Sequence, residues 1–193
     1  MYSSKDFSEK KKFCFQLKCY SINLIKKFNK TKENKMILPI SILEKVNKLN
    51  LKWPLIFKIK NGLYQKETHC GVLEFTSDEG CAYIPHWILK NLFSVEGEIL
   101  SFEHIELEKG SYVKIQPQTK DFIKISNPKA VLETSLRTFI CLTKKDLICI
   151  NYNNKIYWLN ILDVKPGSAV SILDTDVNVD FILPETKNEK GMY

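Results

Sequence analysis

Cys70, with either His86 or His104 as a base, is the pair of residue types in this chain that could do covalent chemistry, as a thiol nucleophile and its proton acceptor. No third residue presents itself to orient the base, so a buried Cys with turn or surface histidines is the favoured reading. Asp174-Thr175 continues to Asp176 where the paired-carboxylate motif of aspartic proteases would need glycine. No Gly-rich phosphate-cradling loop occurs among only seven glycines. The six cysteines (Cys14, Cys19, Cys70, Cys81, Cys141, Cys149) show no C-x-x-C pair, and zinc prefers closely paired ligands. His69 and Cys70 are adjacent and would point to opposite faces of a strand. The cysteines are therefore expected to be buried free thiols in a reducing compartment, with no catalytic group, metal or cofactor.

The elements that would carry these residues are short strands and short helices. Phe13, Phe15, Leu17 and Cys19 alternate as one face of a strand within 13–25. Lys26 to Lys35 is a polar loop, and Ser41 can cap a helix over 42–48. Trp53-Pro54 precedes a return strand. Asn61-Gly62 marks a turn, Thr68 to Phe75 a strand, and Ser77-Asp78-Glu79-Gly80 a turn in which glycine supplies the awkward dihedral. A second helix spans 86–93, with a turn at Glu96-Gly97.

The second of these helices repeats the first. Ile37-Leu38-Pro39, Ile42-Leu43 and Val46 align with Tyr83-Ile84-Pro85, Ile88-Leu89 and Leu92 at a constant offset of 46 residues. Each copy is a strand ending in Pro, a helix and a return strand (Leu55 to Ile59; Ile99 to Phe102). Proline suits the junction because the first helical turn has no use for its missing N–H. Two such units interleaved build a double-psi β-barrel. Trp87, Tyr83, Val72 and Phe75 are expected to be largely buried in it, and a pseudo-two-fold axis should relate the helices.

Beyond Gln116-Pro117-Gln118 the pattern changes. Asn127 at the N-cap and Pro128 at the first position start a helix through Val131, Leu132, Leu136, Phe139 and Ile140. Strands over 147–152 and 156–164 are joined by Asn153-Asn154, a pair suited to a two-residue hairpin. Lys165-Pro166-Gly167-Ser168 is a turn, and 169–173 a last strand. The predicted class is mainly β with α: a double-psi β-barrel subdomain over 13–113, a hinge over 114–118 and a small mixed α/β roll over 119–183. Residues 1–12 are expected to be disordered, and 184–193 to begin a flexible tail. Some double-psi barrels are enzymes, one type cutting itself at a Gly-Ser bond; Gly167-Ser168, following Pro166, reads instead as a β-turn.

The wording from Thr68 to Leu92, Thr-His-Cys-Gly-Val-Leu-Glu-Phe through Tyr-Ile-Pro-His-Trp-Ile-Leu, is more specific than its periodicity. With Gln116-Pro117-Gln118, Ser126 to Glu133, Asn151-Tyr152-Asn153, Lys155-Ile156-Tyr157, Lys165-Pro166, Ala169 to Ile172 and Asn178 to Phe181, it resembles the N-terminal domain of the ubiquitin fusion degradation protein 1 family. The resemblance runs from about Phe13 to Leu183. It implies a barrel and roll like the N-domain of the AAA+ segregase that this family serves. It also implies a non-enzymatic reader of ubiquitin and polyubiquitin, which delivers modified proteins for extraction and proteasomal degradation, including degradation associated with the endoplasmic reticulum.

Ubiquitin, as the partner so implied, offers an apolar patch bordered by basic residues, so its complement should combine exposed apolar groups with acids. Two candidates follow. One is the Asp78-Glu79 turn. The other is a strand on which Ile105 and Leu107 face in while His104, Glu106 and Glu108 face out. Solvated acids are the plain alternative for both. Family members continue into a tail that docks the segregase (valosin-containing protein) and nuclear protein localization protein 4. This sequence stops at Tyr193, so it is expected to be either a domain of a longer protein or a shortened form.

Charge bounds the remaining readings. Residues 1–60 hold 15 Lys and 4 acids, whereas 61–193 hold 14 basic and 18 acidic residues. A basic front half would serve a nucleic-acid-binding module. Yet 28 of the 29 basic residues are Lys, Arg137 being the exception, and base-reading sites favour the Arg fork. A Lys and Asn compositional bias explains the charge more simply. No apolar run reaches the roughly 18 residues a membrane span needs, and Met1 to Lys12 has no secretory core. Cytoplasm or nucleus is expected, including the cytosolic face of the endoplasmic reticulum; a duplicated copy serving organellar protein import is a variant of this reading.

Overall fold

The computed structural model describes residues 12–25 and 34–183. Residues 1–11 of the segment expected to be disordered, nearly all of the 26–35 loop and the tail from 184 fall outside them. Six strands close a barrel: β1 (Cys14–Ser21), β2 (Lys35–Pro39), β3 (Ile56–Asn61), β4 (Lys66–Ser77), β5 (Cys81–Ile84) and β6 (Glu98–Ile105). Helix α1 (Ile40–Lys48) follows β2, and α2 (His86–Asn91) follows β5.

Strand pairing carries the expected two-fold. β1 runs parallel to β5 and antiparallel to β6, and β4 in the same way runs parallel to β2 and antiparallel to β3. β2 pairs with β5 and β3 with β6, each antiparallel to its own counterpart. Exchanging β1 with β4, β2 with β5 and β3 with β6 leaves every pairing unchanged. The bridge between β2 and β5 joins Ile37 to Tyr83, the very residues that the repeat aligns. Ile42 and Val46 of α1, and Ile88 and Leu92 at and just beyond α2, are buried at corresponding positions. This is a double-psi barrel.

Two expectations about the helices change. Ser41 does not cap α1, because the helix starts at Ile40 with Pro39 as its N-cap residue. The cap comes from the turn between β4 and β5, the two strands that flank β2: the Glu79 carboxylate accepts from Ser41 N at 3.2 Å and from Ser41 Oγ at 2.6 Å. Trp87 is buried as expected, but Tyr83, Val72 and Phe75 are only half-buried, with Val72 and Phe75 packed against the margin of the core.

The second part is a four-stranded sheet in the order β12 (Asn178–Phe181), β7 (Tyr112–Pro117), β10 (Lys155–Lys165) and β9 (Leu147–Tyr152), with a separate pair, β8 (Cys141–Thr143) and β11 (Ala169–Ser171). Helix α3 (Pro128–Leu136) packs on β9 and β12. Asn127 Oδ1 accepts from Ala130 N at 3.1 Å, with Pro128 in the first turn. Phe139 and Ile140 lie beyond its end and are buried at the seam with the barrel. Asn153 and Asn154, at φ 48° and 59°, form the left-handed two-residue turn between β9 and β10.

The expected hinge is not where the chain leaves the barrel. Gln116 and Pro117 are paired in β7 with Asn160 and Leu159. The barrel's last strand ends at Ile105, so the crossing falls between Ile105 and Tyr112, ahead of the 114–118 segment. The pairing potential of Tyr112 to Pro117 decides this, because a strand with buried Val113 and Ile115 gains more inside a sheet than in a linker.

A large apolar core runs through both parts, with a smaller cluster of Ile56, Ile140 and Cys141 beside it. Polar groups at the seam are paired, except the buried Trp87 Nε1, which has no hydrogen-bond partner among the described residues. Asn34 Nδ2 donates to the carbonyls of His69 (3.2 Å) and Cys141 (2.8 Å), and Asn91 exchanges two 3.1 Å bonds with the backbone of Leu147. His69 Nδ1 meets Thr143 Oγ1 at 2.9 Å, and the Thr68 hydroxyl donates to the Asp146 carboxyl. At Gly71 a Cβ would lie 2.2 Å from Ile140 Cδ1, so only glycine admits this closeness between β4 and the roll.

Candidate functional site

The groups that could do covalent chemistry are not brought together. Cys70 is fully buried and its Sγ faces the Gly71 carbonyl at 3.4 Å, while His86 is exposed at the start of α2. Burial pushes the Cys70 thiol well above its usual range and that of Cys19 up to about 12, the opposite of an activated thiolate. His104 is half-buried, with its ring edge-on to Phe57 at 5.7 Å. Gly167 holds φ 75° in an exposed turn. Among the described residues no group of three His, Cys, Asp or Glu side chains could hold a metal, and no helix is long and apolar enough to cross a membrane.

What the barrel does build is a cleft of about 680 Å³ where the start of β1, the α1–β3 loop and the end of β6 converge. Each wall has a local cause. His104 N donates to Phe13 O at 2.9 Å, which ties the first strand to the last. After α1, Asn50 takes a left-handed φ of 50° and turns the chain back, with Leu51 N donating to Val46 O at 3.2 Å. That turn presents Leu49 and Leu51 opposite Phe13 and Ile105.

Charge at the cleft is uneven. Glu103 is bridged by Lys58 at 2.8 Å and Lys12 at 3.1 Å, and those two ammonium groups hold its carboxyl below the usual range. Glu106 is exposed, with no cation in ion-pair reach among the described residues. Burial lowers the His104 pKa, opposed by the nearby Glu106 charge, so the imidazole is neutral near pH 7. The site therefore offers aliphatic and aromatic walls, with Glu106 and the exposed Lys52 both outside any ion pair among the described residues.

The sequence-derived site residues divide between two places. His104 and Glu106 line this cleft. Glu108 is exposed two residues further on, its carbonyl accepting from Ser171 N at 2.8 Å. The strand expected to carry all three ends at Ile105, although the alternation persists and Ile105 and Leu107 pack inward against Ile56, Ile140 and Cys141. Asp78 and Glu79 lie on the turn between β4 and β5, where Asp78 accepts from Tyr83 Oη at 3.3 Å and Glu79 caps α1. Phe13, Leu49 and Leu51 escaped the sequence reading. They come from three separate elements, and no local pattern announces that they meet.

The described residues form a double-psi barrel joined to a small α/β roll, with a cleft on the barrel's surface. Comparison with known proteins places it further. The family description "Ubiquitin fusion degradation protein UFD1, N-terminal subdomain 1" matches residues 13–120, and "N-terminal subdomain 2" of the same protein matches 109–184. The chain is 46% identical over 177 residues to the ubiquitin recognition factor in ER-associated degradation protein 1 of Homo sapiens, covering 90% of this chain and 58% of that protein. It is 46% identical over 176 residues to the ubiquitin fusion degradation protein 1 homolog of Dictyostelium discoideum (90% and 53%), and 39% identical over 174 residues to ubiquitin fusion degradation protein 1 of Saccharomyces cerevisiae (86% and 48%). This chain belongs to the ubiquitin fusion degradation protein 1 family, and it spans about half the length of these relatives.

Proposed function

We propose that this chain is a non-enzymatic adaptor module that binds ubiquitin and polyubiquitin in the service of protein degradation, including degradation associated with the endoplasmic reticulum. Family membership and the recognition role named for the relatives support the class. The cleft walled by Phe13, Leu49, Leu51 and Ile105 and lipped by Glu106 is the observation that carries the site. An apolar patch bordered by basic residues, as ubiquitin presents, would bury its centre on these walls and face a cation to Glu106, with Glu108 and His104 alongside. The Asp78–Glu79 turn is the second candidate edge. Handing the substrate to the AAA+ segregase, valosin-containing protein, together with nuclear protein localization protein 4, would follow its capture. The expected setting is the cytoplasm or nucleus, at the cytosolic face of the endoplasmic reticulum.

An NMR titration of the labelled chain with mono-ubiquitin and with ubiquitin chains tests this. Mono-ubiquitin should bind weakly and chains more tightly, because linked copies raise the effective concentration for a second contact. Glu106→Lys with Glu108→Lys should weaken binding and reduce its salt sensitivity. A titration unchanged by that double substitution moves the site off this cleft. Absence of any shift with wild-type protein at high concentration removes the ubiquitin-binding reading.

A further inference from the structure

The two repeat helices end in the same motif but with different residues. After α1, Asn50 N donates to Asn47 O and Leu51 N to Val46 O; after α2, Phe93 N donates to Lys90 O and Ser94 N to Leu89 O. The left-handed residue is Asn50 at φ 50° in the first and Phe93 at φ 53° in the second. Asparagine tolerates that backbone and glycine adopts it freely, whereas a bulky aromatic is strained there. Burial offers no compensation, for Phe93 is 60% exposed. A strained residue that holds an aromatic ring in water is an outlier from which function can be inferred.

The ring has company on a rigid base. Tyr64, at the tip of the β3–β4 hairpin, stands edge-on to Phe93 at 6.0 Å, and Lys66 Nζ lies 5.1 Å over the Phe93 ring. Beside them Leu63 is 75% exposed. Asn61 locks the hairpin to the helix end, donating from Nδ2 to Leu92 O at 3.1 Å and accepting from Leu63 N at 3.0 Å. Lys90, on the last turn of α2, lies 4.8 Å over the half-buried Trp158 ring. Neither Lys66 nor Lys90 has a carboxylate in ion-pair reach among the described residues.

We propose that the Leu63–Tyr64–Phe93 surface docks an acidic segment of a partner protein, seating an apolar side chain on the Phe93 and Tyr64 rings and carboxylates against Lys66 and Lys90. The charge sign selects the occupant: a basic-bordered ubiquitin patch would meet repulsion here, whereas acids gain two cations already held in place by aromatic rings. The surface is separate from the cleft. β3 begins beside the cleft at Ile56, paired with Ile105, and ends at Asn61 under this surface, roughly 17 Å away at about 3.3 Å per residue. The module would then hold ubiquitin at one end of the barrel and an acidic partner at the other.

The test is an NMR titration of the labelled 193-residue chain with two synthetic peptides. One alternates Asp and Glu around two Leu and one Phe; the other carries Lys in place of every acid. The acidic peptide should shift the amides of 63–66 and 90–94 and lose affinity several-fold as salt rises, while the Lys peptide leaves them in place. Phe93→Gly should melt no lower than wild type, because glycine suits the left-handed cap, yet bind the acidic peptide at least tenfold more weakly. An acidic peptide that shifts none of these amides, a Lys peptide that binds as well, or unchanged affinity in Phe93→Gly overturns the proposal. Shifts of the same amides with mono-ubiquitin, or with rising concentration of the chain itself, overturn it in favour of ubiquitin or a second copy.

Discussion

Asp146 and His69 are both buried in the seam between β4 and the roll, and burial perturbs them in opposite directions. Desolvation raises Asp146 to about 7, against the lowering effect of the Thr68 hydroxyl, and lowers His69 to about 4. Between roughly pH 4 and 7 the folded chain keeps a proton on Asp146 that the unfolded chain gives up, so this group makes stability fall as pH rises. Between roughly pH 4 and 6.5 the unfolded chain protonates His69 while the folded chain does not, so this group makes stability rise with pH. The slopes are each about 1.4 kcal/mol per pH unit and opposite in sign. Urea unfolding of wild type should therefore vary little over pH 4.5–6. Asp146→Asn should show stability rising with pH over that window, and His69→Gln stability falling. Parallel profiles for all three proteins would exclude these two groups as the cause. Trp87 makes a simpler demand. It is buried against Phe139, with ring centroids 6.3 Å apart, so Trp87→Ala should cost on the order of 3–5 kcal/mol by chemical denaturation.

At the scale of elements, α1 owes its start to a residue from another turn. Glu79 satisfies the orphan N–H of Ser41 and places negative charge at the positive end of the helix dipole. Glu79→Ala should destabilise the chain by about 1 kcal/mol, the usual worth of a cap. If ubiquitin docks at the cleft, the same variant should leave the titration nearly unchanged, while the Glu106 and Glu108 substitutions weaken binding with little effect on stability. The reverse pattern would move the site to the Asp78–Glu79 turn. The helix ends show how one motif serves two purposes. Asn50 turns the α1–β3 loop back to wall the cleft, and Phe93 in the matching place puts an aromatic ring into solvent.

At the scale of the molecule, barrel and roll are held by a seam that mixes apolar and polar contacts. Phe139, Ile140 and Trp87 supply burial, while Asn34, Asn91, Thr143 and Asp146 satisfy backbone and side-chain groups that would otherwise be stranded. Gly71 sets how close the two parts come. Gly71→Ala would drive a Cβ into Ile140, so it should loosen the seam and lower the melting temperature by several degrees, with hydrogen exchange rising first in β8. Exchange that rises uniformly, or only within the barrel, would mean that Ile140 yields without disturbing the roll.

The sequence by itself determined what depends on near neighbours. The 46-residue repeat foretold the paired helices and the exchange symmetry of the barrel, because both copies bury the same helical positions. Asn127-Pro128 marked the start of α3, and Asn153-Asn154 the hairpin, since capping and left-handed turns are set by residue type. The wording of 68–92 carried the family. Tertiary structure alone decided the rest. Phe13, Leu49 and Ile105 meet in one cleft through strand closure, which no local pattern encodes. Glu79 displaced Ser41 as the cap because the barrel brings a distant turn to the helix end. Gln116-Pro117 became part of a strand because β10 was there to pair with it. Those outcomes rest on contacts between residues far apart in the chain, where propensity is weak and packing takes over.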